Sequence, residues 1–484
     1  MSFDGFSNEG LAKSISLTIS SLKQSYTADE ISPIDVVTAI IEELKSHRDD
    51  GIWTYRVPPE ELRSRATTLQ NHPSPEQLPL WGIPFSVKDC IDIAGLPTSA
   101  GCPEFAYTAE RTNPVVQKLL DAGAMLIGKT NLDQFATGLV GIRTGYDRPH
   151  NAFDANYIPG GSSSGAALSV ALGLVSFAVG TDTGGSGRVP AGFNNIVGLK
   201  PTRGVLSTAH TVEACKTLDC LSIFSLTARD AQTVFDIVKG VNAKGGNKKG
   251  SNLSHPFSRP VEKPTARRAG YQQGQSFCFG VPQPRQRAFF GNAGAKENYE
   301  EAIKALEQLG GTSVEIDYRP FLEANELLFN GPWVAERYAS VGAFVEKHSA
   351  DVFPITREII LSAKERTAVE AFEGFYSVER LKHSTQPLWE EIDFLVVPTT
   401  GTIYRIEEVE ADPLRLNANL GYYTNFVNLL DLCAIALPNG FQTNGLPTGI
   451  TFIAPPHSES YLVDIGAAFH PARCRQLGAT AFKL

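Results

Sequence analysis

Two glycine-rich loops carry serines in this chain: GGSSSG at 160–165 and GTDTGGSGR at 180–188. Upstream of both loops, Lys88 follows the apolar run PFSV at 84–87. A serine hydroxyl is a weak nucleophile and needs a base beside it, and a lysine kept neutral by burial can serve as that base. The small residues ahead of Ser186 can also present successive backbone N–H groups to an oxyanion. Together these segments indicate hydrolytic chemistry that needs neither histidine nor metal.

Composition sets the class of protein. The 484 residues are 42% hydrophobic and 20% charged, which is the balance of a globular protein with a large core. The net charge of −9 argues against a nucleic-acid-binding or membrane-binding surface, although a local arginine can still bind an anionic substrate. Residues 1–22 lack a signal-peptide core, and no apolar run reaches transmembrane length.

The seven cysteines are odd in number and form no CxxC pair. This pattern argues against a disulfide framework or a zinc site and fits a reducing compartment. We therefore expect a cytoplasmic protein with no metal and no cofactor.

The spacing of apolar residues predicts alternating helices and strands. Strand candidates at 83–87 and 125–127 flank a helical segment at 114–122, and this βαβ order implies a parallel or mixed sheet with helices on both faces. Helical periodicity at 8–49 includes Ser32 as an N-cap before Pro33. Further helices are predicted at 166–173, 296–309, 323–345 and 461–469, and further strands at 174–179, 277–281, 313–316, 394–398, 434–437 and 449–453.

Residues 160–201 resemble the amidase signature hydrolases, which use a Ser–cis-Ser–Lys triad. Two further motifs, GKTNLDQF at 128–135 and VGLKPT at 197–202, extend the resemblance over most of the chain. It implies that Ser186 is the nucleophile, Ser162 the bridging cis-serine and Lys88 the base. It also places the oxyanion hole on the backbone amides of the second loop, namely Thr183, Gly184, Gly185 and Ser186.

The resemblance implies one α/β domain over residues 1–484, built on a large mixed sheet. Within it we distinguish an N-terminal helical part at 1–75, a catalytic core at 76–235 and a segment at 275–484 with specificity helices and the remaining strands. Residues 240–274 include KGGNKKG at 244–250 and predict an exposed, mobile insertion. A basic nucleic-acid-binding arm is the sharper interpretation, but the run is short and lacks interleaved aromatics.

Two positions depart from the usual family pattern: Ser164 stands where a second glycine is common, and Gly187 where a branched apolar residue is common. This combination is similar to one branch, the allophanate hydrolases, as are TLDC at 217–220 and GPWVAERY at 331–338. In that branch, an arginine that matches Arg337 grips the substrate carboxylate together with a tyrosine eight residues earlier. The matching earlier position here is Phe329, which lacks the hydroxyl. The resemblance also assigns Gly138 to the substrate site.

Other interpretations of the same residues stay open. GSSSG at 161–165 matches the G-x-S-x-G nucleophile elbow and would make Ser163 the nucleophile, but NYIP at 156–159 is a poor preceding strand and the Ser186 loop would remain unexplained. Asp89 is expected to orient or screen Lys88. Arg188 is either an exposed arginine or the partner of Asp182 across the turn.

The resemblance implies hydrolysis of allophanate, the carboxylated form of urea, with release of ammonia. A stand-alone amidase acting on another small amide, and a catalytically silent scaffold subunit, are the alternatives. Allophanate hydrolases commonly carry a C-terminal domain that decarboxylates the first product. We accordingly expect such a domain or a separate partner, and a homodimer also stays open.

Overall fold

The computed structural model describes residues 15–46, 50–240, 262, 268 and 270–484. The strands are β1 Trp53–Arg56, β2 Pro84–Lys88, β3 Pro97–Thr98, β4 Tyr107–Thr108, β5 Met125–Thr130, β6 Phe177–Asp182, β7 Val197–Lys200, β8 Cys220–Ser225, β9 Phe277–Pro282, β10 Gly311–Ile316, β11 Phe394–Pro398, β12 Cys433–Phe441 and β13 Pro447–Ala454. The α-helices are α1 Ile19–Thr27, α2 Pro33–Ser46, α3 Pro59–Gln70, α4 Pro114–Asp121, α5 Ser164–Ala171, α6 Val189–Phe193, α7 Ala228–Val238, α8 Ala293–Gln308, α9 Arg319–Phe329, α10 Val334–Lys347, α11 Pro354–Leu361, α12 Ala368–Thr385, α13 Leu388–Glu391, α14 Ile406–Ala411, α15 Arg415–Leu420, α16 Phe426–Leu429 and α17 Glu459–Arg473.

One 11-stranded sheet, with strand order β1-β5-β2-β6-β8-β7-β12-β13-β11-β9-β10, organises the single α/β domain. The pairs β2–β5, β2–β6, β9–β10 and β9–β11 are parallel, and the other pairs within this sheet are antiparallel. The predicted mixed sheet flanked by helices is therefore confirmed. Within the described ranges, no helix is both long enough and apolar enough to cross a membrane.

The predicted βαβ unit is β2, α4 and β5. Asn113 caps α4 by accepting hydrogen bonds from the first turn, and Pro114 occupies that turn, where its missing N–H costs nothing. The helix buries Val115, Val116 and Leu119, and its two strands pair in parallel. The N-terminal cap is also as predicted, because Ser32 Oγ accepts from the Asp35 amide at 3.3 Å and α2 begins at Pro33.

The single helix predicted at 323–345 is wrong. Two helices, α9 and α10, occupy this part of the chain, and they are separated by Asn330, Gly331, Pro332 and Trp333. Proline has no backbone N–H and disfavours the helical conformation at the residue before it, so the pair Gly331-Pro332 interrupts the helix. The break gives Phe329 and Arg337 separate helices that can face one another.

The strand predicted at 174–179 is shifted toward the C-terminus. The ladder between β6 and β8 continues through Gly180↔Ser222 to Asp182↔Cys220, so the start of the second glycine loop belongs to a strand. The predicted insertion at 240–274 lies mostly outside the described residues, as does the predicted helical periodicity at 8–14 and 47–49.

Candidate active site

Three side chains from separate segments meet at the C-terminal ends of the neighbouring strands β2 and β6. Lys88 Nζ lies within hydrogen-bonding distance of Ser162 Oγ, at 2.7 Å, and Ser162 Oγ lies 2.9 Å from Ser186 Oγ. All three residues are buried, and Ser186 is the most accessible of them at 3% exposure. The predicted members of the triad therefore form one continuous hydrogen-bonded chain.

The parallel pairing of β2 with β6 explains why Lys88 reaches this point. The two strands run in register from Phe85↔Phe177 to Val87↔Val179, so their C-terminal ends meet. Thr181, near the end of β6, accepts a second hydrogen bond from Lys88 Nζ at 2.7 Å. Burial lowers the pKa of Lys88, because a charged ammonium loses its hydration there. Nearby carboxylates oppose this effect only in part.

The expectation that Asp89 orients Lys88 is wrong. Asp89 Oδ1 lies 2.8 Å from Lys129 Nζ, and the Asp89 carboxylate also accepts a hydrogen bond from the amide of Ser99 at 3.1 Å. Strand β2 ends at Lys88, and Asp89 begins a turn in which the Ile91 amide donates to the Lys88 carbonyl oxygen at 3.0 Å. Asp89 and Lys129 instead form a separate buried ion pair.

The first glycine loop holds Ser162 between Lys88 and Ser186. The peptide bond between Gly161 and Ser162 is cis, as the resemblance implies. The Asp133 amide donates to the Ser162 carbonyl oxygen at 3.1 Å, and the Gly161 amide donates to Leu139 at 2.8 Å, so the loop is fixed on both sides of the serine. Ser163 instead donates its hydroxyl to the Thr181 carbonyl oxygen at 3.1 Å. Its hydroxyl therefore makes a structural contact with β6.

Asp182 and Arg188 organise the second loop, as one of the two interpretations of Arg188 predicted. Arg188 Nε and Nη2 donate to the two carboxylate oxygens of Asp182, both at 2.9 Å, and both side chains are fully buried. The same carboxylate accepts from the amides of Gly185 at 2.9 Å and Gly187 at 3.0 Å. Burial alone would raise the pKa of Asp182, but Arg188, Lys200 and the Gly187 amide together offset it, and the pKa lies below its usual value.

The expected oxyanion donors divide into two groups. The amides of Thr183, Gly184 and Ser186 donate to no acceptor in the described part of the chain. Gly185 differs from the expectation, because its N–H is already bonded to Asp182. Its φ of +138° favours glycine, and this backbone geometry turns its amide toward the carboxylate.

Thr183 connects this loop to a second buried carboxylate. Its hydroxyl donates to Asp219 Oδ1 at 2.5 Å, and Asp219 also accepts from the amides of Ala214 and Cys215 at 2.8 and 3.1 Å. Burial raises the pKa of Asp219, and the hydrogen bond from Thr183 acts in the opposite direction. Asp219 thus fixes the beginning of the loop much as Asp182 fixes its end.

Arg337 on α10 and Phe329 on α9 pack against each other near the second glycine loop. We call this pair of side chains the wall. The Arg337 side chain is 2% exposed, and its Cζ lies 5.4 Å from the centroid of the Phe329 ring. Nη1 donates to Thr137 Oγ1 at 3.2 Å and to the Ala136 carbonyl oxygen at 3.4 Å. Nε is buried without an acceptor, and no carboxylate of the described residues lies within ion-pair distance of this guanidinium. Arg337 is therefore a buried cation with hydrogen-bonding capacity left over.

Gly138 directly follows the Thr137 contact of Arg337. Its φ is +149°, and a Cβ at this position would come 2.9 Å from Asp133 Oδ2 and 3.1 Å from Arg143 Nη1. The residue that the resemblance assigned to the substrate site thus lies beside the arginine, at a point where a side chain has no room.

A cavity of about 350 Å³ opens between α9, α11 and α15. Its lining includes Phe329, Asn417, Gly421 and Asn425. Gly184 of the second loop lies next to one of these residues, since a Cβ placed on it would come 3.1 Å from Asn425 Oδ1. The cavity includes Phe329, whose ring contacts Arg337, and its size suits a small molecule.

The family model described as Amidase matches residues 35–463. The chain belongs to the amidase family. The urea amidolyase of Saccharomyces cerevisiae is 39% identical over 420 residues, which cover 86% of this chain and 22% of that protein. One component of the glutamyl-tRNA(Gln) amidotransferase of Corynebacterium jeikeium is 27% identical over 491 residues, covering 94% of this chain and 96% of the relative.

A solved structure of Kluyveromyces lactis allophanate hydrolase superposes on this amidase with a TM-score of 0.87 at 36% identity. The match covers 96% of this chain and 75% of that structure. The chain spans about a fifth of the length of the urea amidolyases it matches.

The packing around Gly187 accounts for one departure of this amidase from the family pattern. A Cβ at Gly187 would lie 2.6 Å from Ser222 Cβ on the neighbouring strand β8, so a branched side chain has no space there. Glycine at this position lets the loop pass close to β8, where the Gly187 amide donates to Asp182 at 3.0 Å.

Sequence reasoning missed two residues that support the site. Thr181 holds Lys88, and Asn428 on α16 donates to the carbonyl oxygens of Asp182 at 2.7 Å and Leu218 at 3.1 Å. Thr181 lies in the second glycine loop. Its contact with Lys88 could have been predicted from the parallel pairing of the two strands. Asn428 is far away in sequence, and no local pattern connects it to the loop.

Proposed function

We propose that this amidase hydrolyses small amides through an acyl-enzyme on Ser186. The observation that carries the proposal is the unbroken chain of contacts from Lys88 through Ser162 to Ser186, at 2.7 and 2.9 Å. A neutral amine keeps one lone pair and two N–H groups. Lys88 can therefore donate to Thr181 while its lone pair accepts the proton of Ser162.

The proton relay and the bond changes balance at each step. Ser162 passes its proton to Lys88 and takes the proton of Ser186, whose oxygen attacks the substrate carbonyl carbon. The relay then runs in reverse and protonates the leaving nitrogen as the C–N bond breaks, so that ammonia departs. Water attacks the ester on Ser186 in the same way and restores the hydroxyl.

The tetrahedral intermediate carries a negative oxygen that needs preorganised donors. We assign this role to the amides of Thr183, Gly184 and Ser186, which have no acceptor in the described part of the chain. Gly185 belongs to the expected set, but we assign its amide to the contact with Asp182. The two buried carboxylates Asp182 and Asp219 hold the loop, so its donors need no reorganisation during the reaction.

For the substrate we propose allophanate. Arg337 is a buried guanidinium with an unused Nε, and a planar carboxylate can accept two hydrogen bonds from such a group. Two relatives bear the names urea amidolyase and allophanate hydrolase, and they resemble this chain over 86% and 96% of its length. Phe329 offers no hydroxyl, so the arginine would grip the carboxylate without a neighbouring phenol.

The proposed product keeps a carboxylate on its nitrogen, so its further breakdown is a decarboxylation. We expect that step from another domain or a separate protein. The alternative within the same chemistry is an amidase that acts on another small amide or carboxylated urea derivative. A catalytically silent scaffold is the third function to test, and the intact Lys88–Ser162–Ser186 chain argues against it.

Ammonia release from a panel of amides tests these functions together. The panel contains allophanate, biuret, substituted ureas and simple aliphatic amides, each with wild-type protein and with Ser186→Ala. We expect release from allophanate above all, and none from the variant. Turnover of neutral amides alone would contradict the substrate assignment, and no release from any compound would favour the scaffold.

A further inference from the structure

Asn425 lines the cavity, and its carboxamide is a second buried polar group without a full set of partners. Asn425 precedes α16, and its side chain is 6% exposed. Its Oδ1 is buried with no hydrogen-bond donor among the described residues. An unpaired buried carbonyl oxygen is unfavourable, so a group from outside the chain is the natural donor.

Two glycines make room for this carboxamide. A Cβ on Gly184 would come 3.1 Å from Asn425 Oδ1, and a Cβ on Gly421 would overlap Nδ2. The amide plane is therefore held between the oxyanion loop on one side and the end of α15 on the other. Gly421 has a φ of −79°, which any residue adopts, so space around Asn425 and not backbone geometry favours glycine there.

Other asparagines at the same cavity are engaged within the chain. Asn325 donates to the Tyr422 carbonyl oxygen at 2.5 Å and accepts from the Phe426 amide at 2.7 Å. Asn417 Oδ1 accepts from the Leu139 amide at 2.8 Å. Asn425 differs because its oxygen faces Gly184 and has no such partner among the described residues.

We propose that Asn425 is a specificity residue that accepts a hydrogen bond from the substrate nitrogen between the scissile carbonyl and the carboxylate. This rests on the proposed function. Asn425 lies beside the loop that would hold the scissile carbonyl, and it shares a cavity with Phe329, whose ring covers Arg337. A substrate held by both ends places its middle atom between them. An acceptor at this point selects N–H over CH₂, because a methylene leaves the buried oxygen unpaired.

Allophanate and malonamate separate this role from a general structural one. Both carry a terminal amide and a carboxylate, but the middle atom is N–H in allophanate and CH₂ in malonamate. For Asn425→Ala we expect kcat/KM with allophanate to fall roughly 10- to 100-fold, the range for an unpaired buried polar group. The Ki of malonamate as a competitor of allophanate should change less than about threefold, because it makes no use of the oxygen.

Two further variants control the measurement. Gly421→Ala should push the Asn425 amide aside and reproduce the selective loss with allophanate. Asn156→Ala should leave both ligands unaffected, because Asn156 is exposed, lies outside the cavity lining, and its amide donates to Asp154 at 2.9 Å. The melting temperature of Asn425→Ala should stay near the wild-type value, since Oδ1 forms no bond within the described part of the chain.

Equal losses for allophanate turnover and malonamate binding, or no loss for either, would overturn the role of Asn425 while leaving the proposed function intact. A wild-type protein that ignores allophanate but releases ammonia from neutral amides would instead overturn the substrate on which this role depends.

Discussion

The Lys88–Ser162–Ser186 relay and the wall formed by Arg337 and Phe329 are both buried, yet they differ in how their polar groups are satisfied. In the relay, each functional group contacts another group of the same chain, and Thr181 completes the set. At the wall, Arg337 keeps an unbonded Nε, and Asn425 nearby keeps an unbonded Oδ1, with no partner for either among the described residues. The difference suggests that the reaction machinery is complete without substrate, whereas the recognition groups await a partner.

The largest expected effect comes from breaking the relay. Lys88→Met keeps much of the side-chain volume and removes the base, so kcat should fall roughly 10⁴-fold or more. The double variant Lys88→Met with Ser162→Ala should lose little beyond either single change, because the relay acts as a unit. Steady-state ammonia release with circular dichroism as the folding control checks both. A well-folded variant that keeps most of its activity would identify another group as the base.

Removing Arg337 should weaken substrate binding and leave the chemical step unchanged. Arg337→Ala should weaken kcat/KM for allophanate by roughly 2–4 kcal/mol, the scale for truncating one partner of a desolvated charge pair. The loss should appear mainly in KM, since the contact exists in the ground state and the transition state alike. Neutral amides serve as the control and should change far less. A loss confined to kcat, or equal for neutral and charged substrates, would place Arg337 outside carboxylate recognition.

The relay should also respond to pH in one direction. Burial lowers the pKa of Lys88, and the base must be neutral, so kcat/KM is high above that pKa and falls about tenfold per pH unit below it. Asp219 also has a raised pKa, and its negative charge raises that of Lys88. In Asp219→Asn the fall of kcat/KM at low pH, its acid limb, should persist. The midpoint of this fall should stay in place or move to lower pH. Disappearance of the limb would assign it to Asp219.

The smallest expected effect tests the missing hydroxyl at the wall. Phe329→Tyr adds a donor to the ring that covers Arg337, and one further hydrogen bond to a bound carboxylate is worth about 1 kcal/mol. KM for allophanate should stay the same or fall by up to about fivefold, with kcat unchanged. Phe329→Leu, which lacks both ring and hydroxyl, is the comparison. A tyrosine variant that binds allophanate more weakly would show that Phe329 serves another purpose.

The two regions also differ in how far the sequence predicted them. Apolar runs and the βαβ order predicted the strands that carry Lys88 and the Asp182 loop, and the pairing of Arg188 with Asp182 is confirmed. The expected contact of Asp89 with Lys88 was wrong, because the chain turns after Lys88 and the Asp89 carboxylate pairs with Lys129. The break between α9 and α10 was missed, although Gly331-Pro332 carries the signal for it.

Asn425 could not be found from the sequence. Its significance depends on an oxygen that has no partner among the described residues, and on the space between Gly184 and Gly421, which are far apart along the chain. Periodicity describes neighbours along a helix or strand, and it contains no information about such long-range contacts. For the same reason, the sequence could not predict that the Gly185 amide bonds Asp182 and is therefore not free to bind an oxyanion.

A covalent probe tests the central claim most directly. A fluorophosphonate reacts with an activated serine, and proteolysis with mass spectrometry identifies the labelled residue. The chain from Lys88 to Ser186 predicts a label on Ser186 that disappears in Lys88→Met. A label on Ser163, whose hydroxyl contacts the Thr181 carbonyl oxygen, would contradict the relay and support a nucleophile elbow instead.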